Sequence, residues 1–471
     1  MIALSPVGAA PPLALHPANP HYFQFRGRPT ILITSGEHYG AVLNLDFDYA
    51  KYLDTLAADG LNLTRTFSGA YCEPVGAFNI AQNTLAPAPG RFLAPWRRSD
   101  QPGYAGGGNK FDLAQWDPAY FQRLRAFVDH AGRRGVVVEL NLFCPFYEES
   151  MWRLSPMNAA NNINGIGVVA RTNVYVLGAE PALLAVQETL VRKLVGELRE
   201  FDNLYYEICN EPYFGGVTLA WQRHIADVIS TTEGPRGPRH LISQNIANGR
   251  ALVENPHPAV SIFNFHYATP PDTVAMNYAL GKVIGDNETG FNGTNDLAYR
   301  VEAWNFLLAG GGLFNNLDYS FVAGHENGTF LYPANQPGGG NPAYRRQLRV
   351  LGEFLRGFDF IRMRPAQDVV RGGVPQGQTA RVLADPGRAY ALYLSVPAKS
   401  PQPGELHPSV TAALELELPA GTYRAEWIRP DTETAIPSSS FSHHGGMARL
   451  ISPDYTTDLA LRLVRVARQG E

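Results

Sequence analysis

The stretch LYYEICNEPYFGG (204–216) starts as an apolar run of strand length and breaks at Asn210-Glu211-Pro212 ahead of a Gly-Gly turn. Apolar runs bounded by Pro and Gly are buried strands. In a parallel barrel, such a strand would leave a carboxyl and an amide at the mouth where barrels keep their chemistry. Taken alone, Asn-Glu-Pro is equally a glutamate capping a loop. Seven further runs have the same character: ILIT (31–34), LNLTRTF (61–67), VVVELNLF (136–143), LISQ (241–244), VSIFNF (260–265), KVIGDN (282–287) and GLFNNL (312–317). Amphipathic stretches of helix length lie at 46–59, 118–134, 181–200, 219–230, 295–308 and 344–358, while the segment after the fifth run is short and poorly helical. This alternation implies parallel strands with crossover helices, and eight such units fit a (β/α)8 TIM barrel better than an open sheet.

Two connections, 69–115 and 144–178, are too long and too rich in Gly, Asn, Pro and aromatic residues to be plain links. On a barrel both fall at the C-terminal face and wall a pocket. Past residue 364 the period changes. ARVLAD, RAYALYLSV, ALELELP, YRAEWIRP and LALRLVRV alternate between Pro, Gly and Asp turns, as antiparallel strands of a small β-sandwich do. The expected organisation is a barrel with an N-terminal capping segment over 1–364 and a C-terminal β-sandwich over 365–471.

With 471 residues, 45% hydrophobic and 17% charged, the chain can fill large cores and is no candidate for intrinsic disorder. Thirty-nine Lys and Arg against 43 Asp and Glu leave a net charge of −4, without a basic run to track phosphates, which disfavours a nucleic-acid partner. Cys72, Cys144 and Cys209 are too few and scattered for a disulfide framework or a zinc site and are expected to be reduced and buried. The N-terminus MIALSPVGAAPPLAL lacks the basic and unbroken apolar segments of a secretory signal, and no run reaches the roughly 18 apolar residues of a membrane span. A cytoplasmic protein without a membrane partner is the expectation, with the oligomeric state left open.

KVIGDNETG (282–290) puts Glu288 just past the seventh run. Carboxylates at the mouths of strands four and seven face each other across a barrel, and such a pair can divide proton donation from attack on an acetal carbon. The plain alternative is two solvated loop acids. Four signatures in order, LNLTRTF, YEICNEP, FHY and VIGDNETG, resemble those of glycoside hydrolase clan A, and within it the cellulase-like family 5. The resemblance implies retaining hydrolysis of β-linked glycosides, a carbohydrate partner, and neither metal nor cofactor. It makes Glu211 the general acid/base, Asn210 the amide on the sugar 2-hydroxyl, and Glu288 the nucleophile, with Arg65 and Tyr267 holding its carboxylate ionised and aimed. His266 becomes a contact to sugar hydroxyls or to the acid/base, or else a packed histidine. The tract from YRAEWIRP to LALRLVR similarly resembles the collagen-binding-type β-domain that accompanies such barrels, and packing on the barrel is the favoured reading of it.

Where the chain departs from the family pattern, other residues become candidates. Asn141 ends the third strand where many relatives carry a histidine. LFNNLDYSF lacks the eighth-strand tryptophan of a sugar platform, so Asn316 and Asp318 either bind hydroxyls or satisfy loop amides. Glu37 and His38 either reach the cleaved sugar or form a structural pair. Trp96, Trp152 and Tyr104 on the long loops are the chief candidates among the aromatics to stack on a sugar, or else are core like most aromatic residues, while Trp304 reads as packing. Glu207 shares the strand parity of Glu211 but lies roughly 13 Å deeper at about 3.3 Å per residue and reads as structural; Asp286, roughly 7 Å below Glu288, is the rival nucleophile. No HExxH, GxSxG or GxxxxGKS/T motif occurs, and GIGVVA (165–170) follows no strand. Two rival functions remain: a non-catalytic carbohydrate- or protein-binding barrel, and a metal-dependent hydrolase using His38, His266 and Asp318, against which the lack of a His-x-His pair counts.

Overall fold

A computed structural model of the chain describes residues 11–234, 239–399, 407–432 and 436–466. Residues 1–10 of the N-terminus weighed as a leader lie outside the described residues. The eight apolar runs form strands β1 (Leu32–Gly36), β2 (Leu63–Phe67), β3 (Val137–Asn141), β4 (Leu204–Glu207), β5 (Ile242–Asn248), β6 (Ile262–His266), β7 (Val283–Thr289) and β8 (Leu313–Leu317). They are parallel, each beside the next from β2 to β8, and β8 lies beside β1. Apart from the end of β5, every residue in them is buried. A sheet covered on both faces has no polar side to show, and so these strands read as unbroken apolar runs.

The seam between β1 and β2 is closed by a side chain. Asn62 Oδ1 accepts from the Ile33 amide at 2.8 Å, its Nδ2 donates to the Ile31 carbonyl at 2.9 Å, and its own amide reaches the Ile33 carbonyl at 3.2 Å. One amide side chain thus replaces the missing rungs and completes the TIM-like barrel that the sequence leads one to expect.

The outer ring comprises α1 (Tyr49–Ala58), α2 (Pro118–Arg133), α3 (Pro181–Leu198), α4 (Leu219–Glu233), the six-residue α5 (Asp272–Asn277), α6 (Asp296–Leu308) and α7 (Pro342–Arg356). Asp48, Asp117, Thr218, Asn295 and Asn341 precede five of them and accept hydrogen bonds from first-turn amides, which fixes where each helix starts. No helix follows β5, where Pro256 and Pro258 interrupt the connection. Below the barrel, a three-stranded sheet (Ala14–Leu15, Phe23–Phe25, Arg28–Thr30) presses Leu13, Phe23 and Phe25 against the strand starts, from Leu32 to Leu313. That plug leaves the C-terminal mouth as the open end.

After Arg364 the chain forms two antiparallel sheets, of six and three strands, whose facing residues share one apolar core. Helix α6 is buried from Leu297 to Leu308 because this region covers its outer side. Arg300 holds Asp458 with two bonds at 2.8 and 2.9 Å, Asn305 bonds Ser395 at 3.3 Å, and Trp304 stacks on Tyr393 with ring centroids 5.0 Å apart. Among the described residues, no helix is long and apolar enough to cross a membrane.

Candidate active site

Glu211 and Glu288, 77 residues apart in the chain, meet at the barrel mouth. One oxygen from each, together with a His266 ring nitrogen, lies within 4.8 Å of the others. His266 Nδ1 is 3.2 Å from Glu211 Oε1 and 3.4 Å from Glu288 Oε1. The remaining partners separate the two acids. Glu211 accepts from Tyr147 at 2.6 Å and Tyr213 at 3.2 Å. Glu288 accepts from Tyr39 at 2.8 Å, Tyr267 at 2.7 Å and Arg65 Nη1 at 3.1 Å.

Beneath them lies a buried polar layer centred on Arg65. Its guanidinium reaches Glu288, donates to Glu139 at 2.9 Å and to Asn210 Oδ1 at 2.7 Å, and also bonds Glu207. Asn210 passes the arrangement on, donating through Nδ2 to Tyr147 at 2.9 Å. Tyr205, Asn264 and Asn287 donate to Glu139 or Glu207 at 2.6–2.8 Å. Gly285 makes room for this layer, since a Cβ there would lie 2.3 Å from Asn264 Oδ1. Arg65 supplies one planar fork to four acceptors, a task for which a lysine ammonium has the wrong shape.

Burial opposes charge on Glu288, but the His266 imidazolium, Arg65 and the Tyr267 hydroxyl outweigh it and hold this carboxyl well below the usual range. Burial likewise disfavours a charged His266, yet the Glu288 and Glu211 carboxylates push it up to about 10. Burial and the neighbouring Glu207 push Glu139 up to about 8 despite Arg65. The raised His266 value has a measurable consequence. Its contribution to stability is complete below about pH 6.5, where the unfolded histidine is also charged, and is lost as pH rises through about 10. In urea unfolding, the advantage of the wild type over His266→Asn should therefore shrink across that window; parallel pH profiles would rule out the shared proton. The same trio is the set of side chains, among the described residues, spaced to hold a metal ion. In the metal-free protein a protonated Nδ1 donates to both carboxylates, and a metal ion would have to displace that proton.

Above the carboxyls opens a cavity of about 370 Å³, counting its mouth, lined by His38, Tyr39, Glu73, Phe78, Tyr147, Asn210, Glu211, Tyr267, Glu288 and Phe291 among others. Nine non-glycine residues among those described have positive φ, and Tyr39, Phe78, Glu211, Tyr267 and Phe291 all line this cavity. Such backbone costs of the order of 1–3 kcal/mol per residue and persists where surrounding contacts hold it, commonly at functional sites.

Several sequence candidates stand elsewhere. Glu37 turns away from the pocket, binding the Gly40 and Ala41 amides at 3.0 Å each and Thr84 at 2.6 Å, so it organises the β1 loop. Asn141 donates to Glu207 at 3.2 Å and belongs to the layer below. Asp318 forms a buried ion pair with Arg345 at 2.8 Å and accepts from Ser35, and Asn316 Nδ2 donates to the Leu317 carbonyl. Trp152 is buried, its indole donating to the Val169 carbonyl and its ring packed on Phe146. Trp96 and Tyr104 are also buried and present no stacking face. His38 does line the pocket, 3.4 Å from Glu73. On an ideal strand Asp286 and Glu288 would face the same side, but a bulge separates them. Phe265 pairs with Asp286 but His266 pairs with Glu288, so Asn287 is the extra residue; it turns inward to Glu139 and Glu207, while Asp286 lies beside Glu302 of α6. Burial and Glu302 raise the Asp286 carboxyl well above its usual value, which suits a protonated acid and not a nucleophile. The sequence reading missed Tyr39, Glu73, Tyr147 and Tyr213. Tyr39 follows the Glu37-His38 pair directly and Tyr213 lies two residues past Glu211, so proximity to the motifs was the available signal.

Three solved structures superpose on nearly the whole chain. A Bacteroides vulgatus protein provisionally assigned as a glycoside hydrolase covers 98% of this chain and 84% of its own length at TM-score 0.65 and 14% identity. A second glycoside hydrolase covers 97% of each chain at 0.64 and 14%. A family 5 glycoside hydrolase from B. vulgatus covers 96% of this chain and 93% of its own at 0.62 and 13%. The chain has the fold of a family 5 glycoside hydrolase. No protein-family model matches the sequence, and no curated protein matches it. At such identities the family 5 likeness is one of architecture, and the chemistry has to be argued from the site.

Proposed function

We propose that the chain is a retaining glycoside hydrolase of clan A that cleaves β-linked glycosides by double displacement. The observation that supports this is the close approach of Glu211 and Glu288, both bridged by His266 Nδ1 and with one carboxylate oxygen of each within 4.8 Å of the other. Two-step enzymes set their carboxyl groups about 5–5.5 Å apart, whereas inverting ones need roughly 6.5–9.5 Å to admit a water between acid and base. The glycoside hydrolase descriptions of the three fold neighbours support the same class.

In the first step a Glu288 oxygen bonds the anomeric carbon as the glycosidic C–O bond breaks, and Glu211 gives its proton to the departing oxygen. A glycosyl ester on Glu288 and a free alcohol result. In the second, Glu211, now a carboxylate, takes a proton from water while the water oxygen displaces Glu288. His266 suits both halves. While Glu288 is ionised the imidazolium is drawn to it; once ester formation removes that charge, the same Nδ1–H favours the carboxylate of Glu211, 3.2 Å away. Arg65, Tyr39 and Tyr267 keep Glu288 charged between turnovers.

A panel of nitrophenyl β- and α-glycosides, followed by NMR of the first-formed sugar, tests this reading. Turnover of a β-glycoside with the β-anomer released first is expected, unchanged by a chelator. An α-anomer first would overturn the double displacement. Loss of activity in EDTA would favour the metal-dependent alternative, and no turnover at all would favour a binding protein.

A further inference from the structure

The chain has 24 phenylalanines, and among the described residues those with more than a third of their surface open to solvent are Phe78 (39%), Phe214 (44%) and Phe291 (44%). Phe78 and Phe291 line the active-site cavity, and Phe214 packs on Tyr147 at its edge. Phe78 and Phe214 both pack on the Tyr147 ring, at 5.4 and 5.8 Å between centroids, and Tyr147 donates to Glu211. Phe291 lies 5.9 Å from the Tyr267 ring on the Glu288 side. Phe78 and Phe291 adopt positive φ, which a phenylalanine does not favour by itself. The Phe78 loop is pinned in place, Asn79 donating to the Asn335 carbonyl at 3.0 Å and the Ala81 amide to Gln336 at 2.9 Å. The two loops joined this way also carry Val75 and Leu331, 89% and 92% exposed.

Exposed apolar surface gathered at one mouth marks a ligand contact. Around the Tyr147 ring the polar groups are engaged, Tyr147 and Tyr213 with Glu211, and Asn210 with Arg65 and Tyr147. A second sugar leaving past Glu211 could lay one C–H face on a ring, but its hydroxyls would find Tyr147, Tyr213 and Asn210 already engaged. An alkyl or aryl group would meet matching surface.

Resting on the glycosidase reading above, we propose that the substrate carries an apolar aglycone, held between Phe78 and Phe214 as it departs from Glu211. The test compares n-octyl and methyl β-glycosides of glucose, galactose, mannose and xylose. Both leave as primary alcohols of similar acidity, so the chemical step is alike and the ratio of their kcat/KM values reads aglycone contact. On whichever sugar is cleaved, octyl should exceed methyl by about 30-fold or more, with the β-1,4-linked disaccharide of that sugar near methyl. Phe78→Ser with Phe214→Ser should cut the octyl-to-methyl ratio by about tenfold, with circular dichroism confirming the fold of the variant. Octyl no better than methyl in the wild type, a disaccharide that surpasses octyl, or a ratio untouched in the folded variant would each overturn the proposal. So would cleavage of nitrophenyl glycosides without any of an octyl one. Cleavage of none of them withdraws the glycosidase reading itself, and this proposal with it.

Discussion

Glu288→Ala is expected to lose turnover by about 10⁵-fold or more on every glycoside, whereas Glu211→Ala loses it selectively. Removing the nucleophile leaves no atom to receive the anomeric carbon, and no leaving group is good enough to compensate. Removing the acid matters only where the departing oxygen must be protonated. An octyl or methyl glycoside should then slow by about 10²–10⁴-fold, the usual worth of general acid catalysis, while a dinitrophenyl glycoside still forms the glycosyl ester. Its slow release lacks a base, so added azide should rescue it and yield the β-glycosyl azide. Equal loss on activated and unactivated substrates would contradict the role given to Glu211, and surviving turnover in the Glu288 variant would contradict the other.

The second large effect is on the fold. Arg65→Met should destabilise the protein by about 3–5 kcal/mol, because it leaves Glu139 and Glu207 buried side by side with no guanidinium between them and leaves Glu288 with His266 alone. Arg65→Lys should recover part of that loss but not activity, since one ammonium cannot reach Glu139, Glu207, Glu288 and Asn210 from a single position. Urea unfolding of both variants, alongside kcat on an activated substrate, checks this. Wild-type stability in Arg65→Met would mean that the layer neutralises itself by proton uptake alone.

The barrel was legible in the sequence because its strands are buried on both sides and advertise it as apolar runs, and because Pro, Gly and capping residues punctuate them. That Glu211 and Glu288 would meet at the barrel mouth was legible because both follow strand ends. What stayed hidden depends on which way a polar side chain turns. Glu37 and His38 are adjacent, yet one folds back on loop amides and the other faces the pocket. Asp286 and Glu288 share parity on an ideal strand, and one extra residue separates their fates. Tyr39 and Tyr147 reach the carboxyls from loops whose path is set by distant packing, which no local pattern records. Trp152 and Trp96 looked like sugar platforms by their location, but large rings on long loops also build the small cores that keep such loops rigid.

Helix α6 gives the C-terminal sheets a meaning beyond ornament. A helix on the rim of a barrel ordinarily turns a wet side outward, but this one has none, because Trp304, Leu297 and Val301 face protein there too. Leu383, Ala391 and Tyr393 of the sheets belong to the same apolar cluster as the barrel wall. Parting the two would therefore uncover an apolar helix face. A lineage that shed the sheets would first have to rebuild α6 for water, and one that traded them for another module would need the newcomer to present the same aromatic and acidic partners to Trp304 and Arg300.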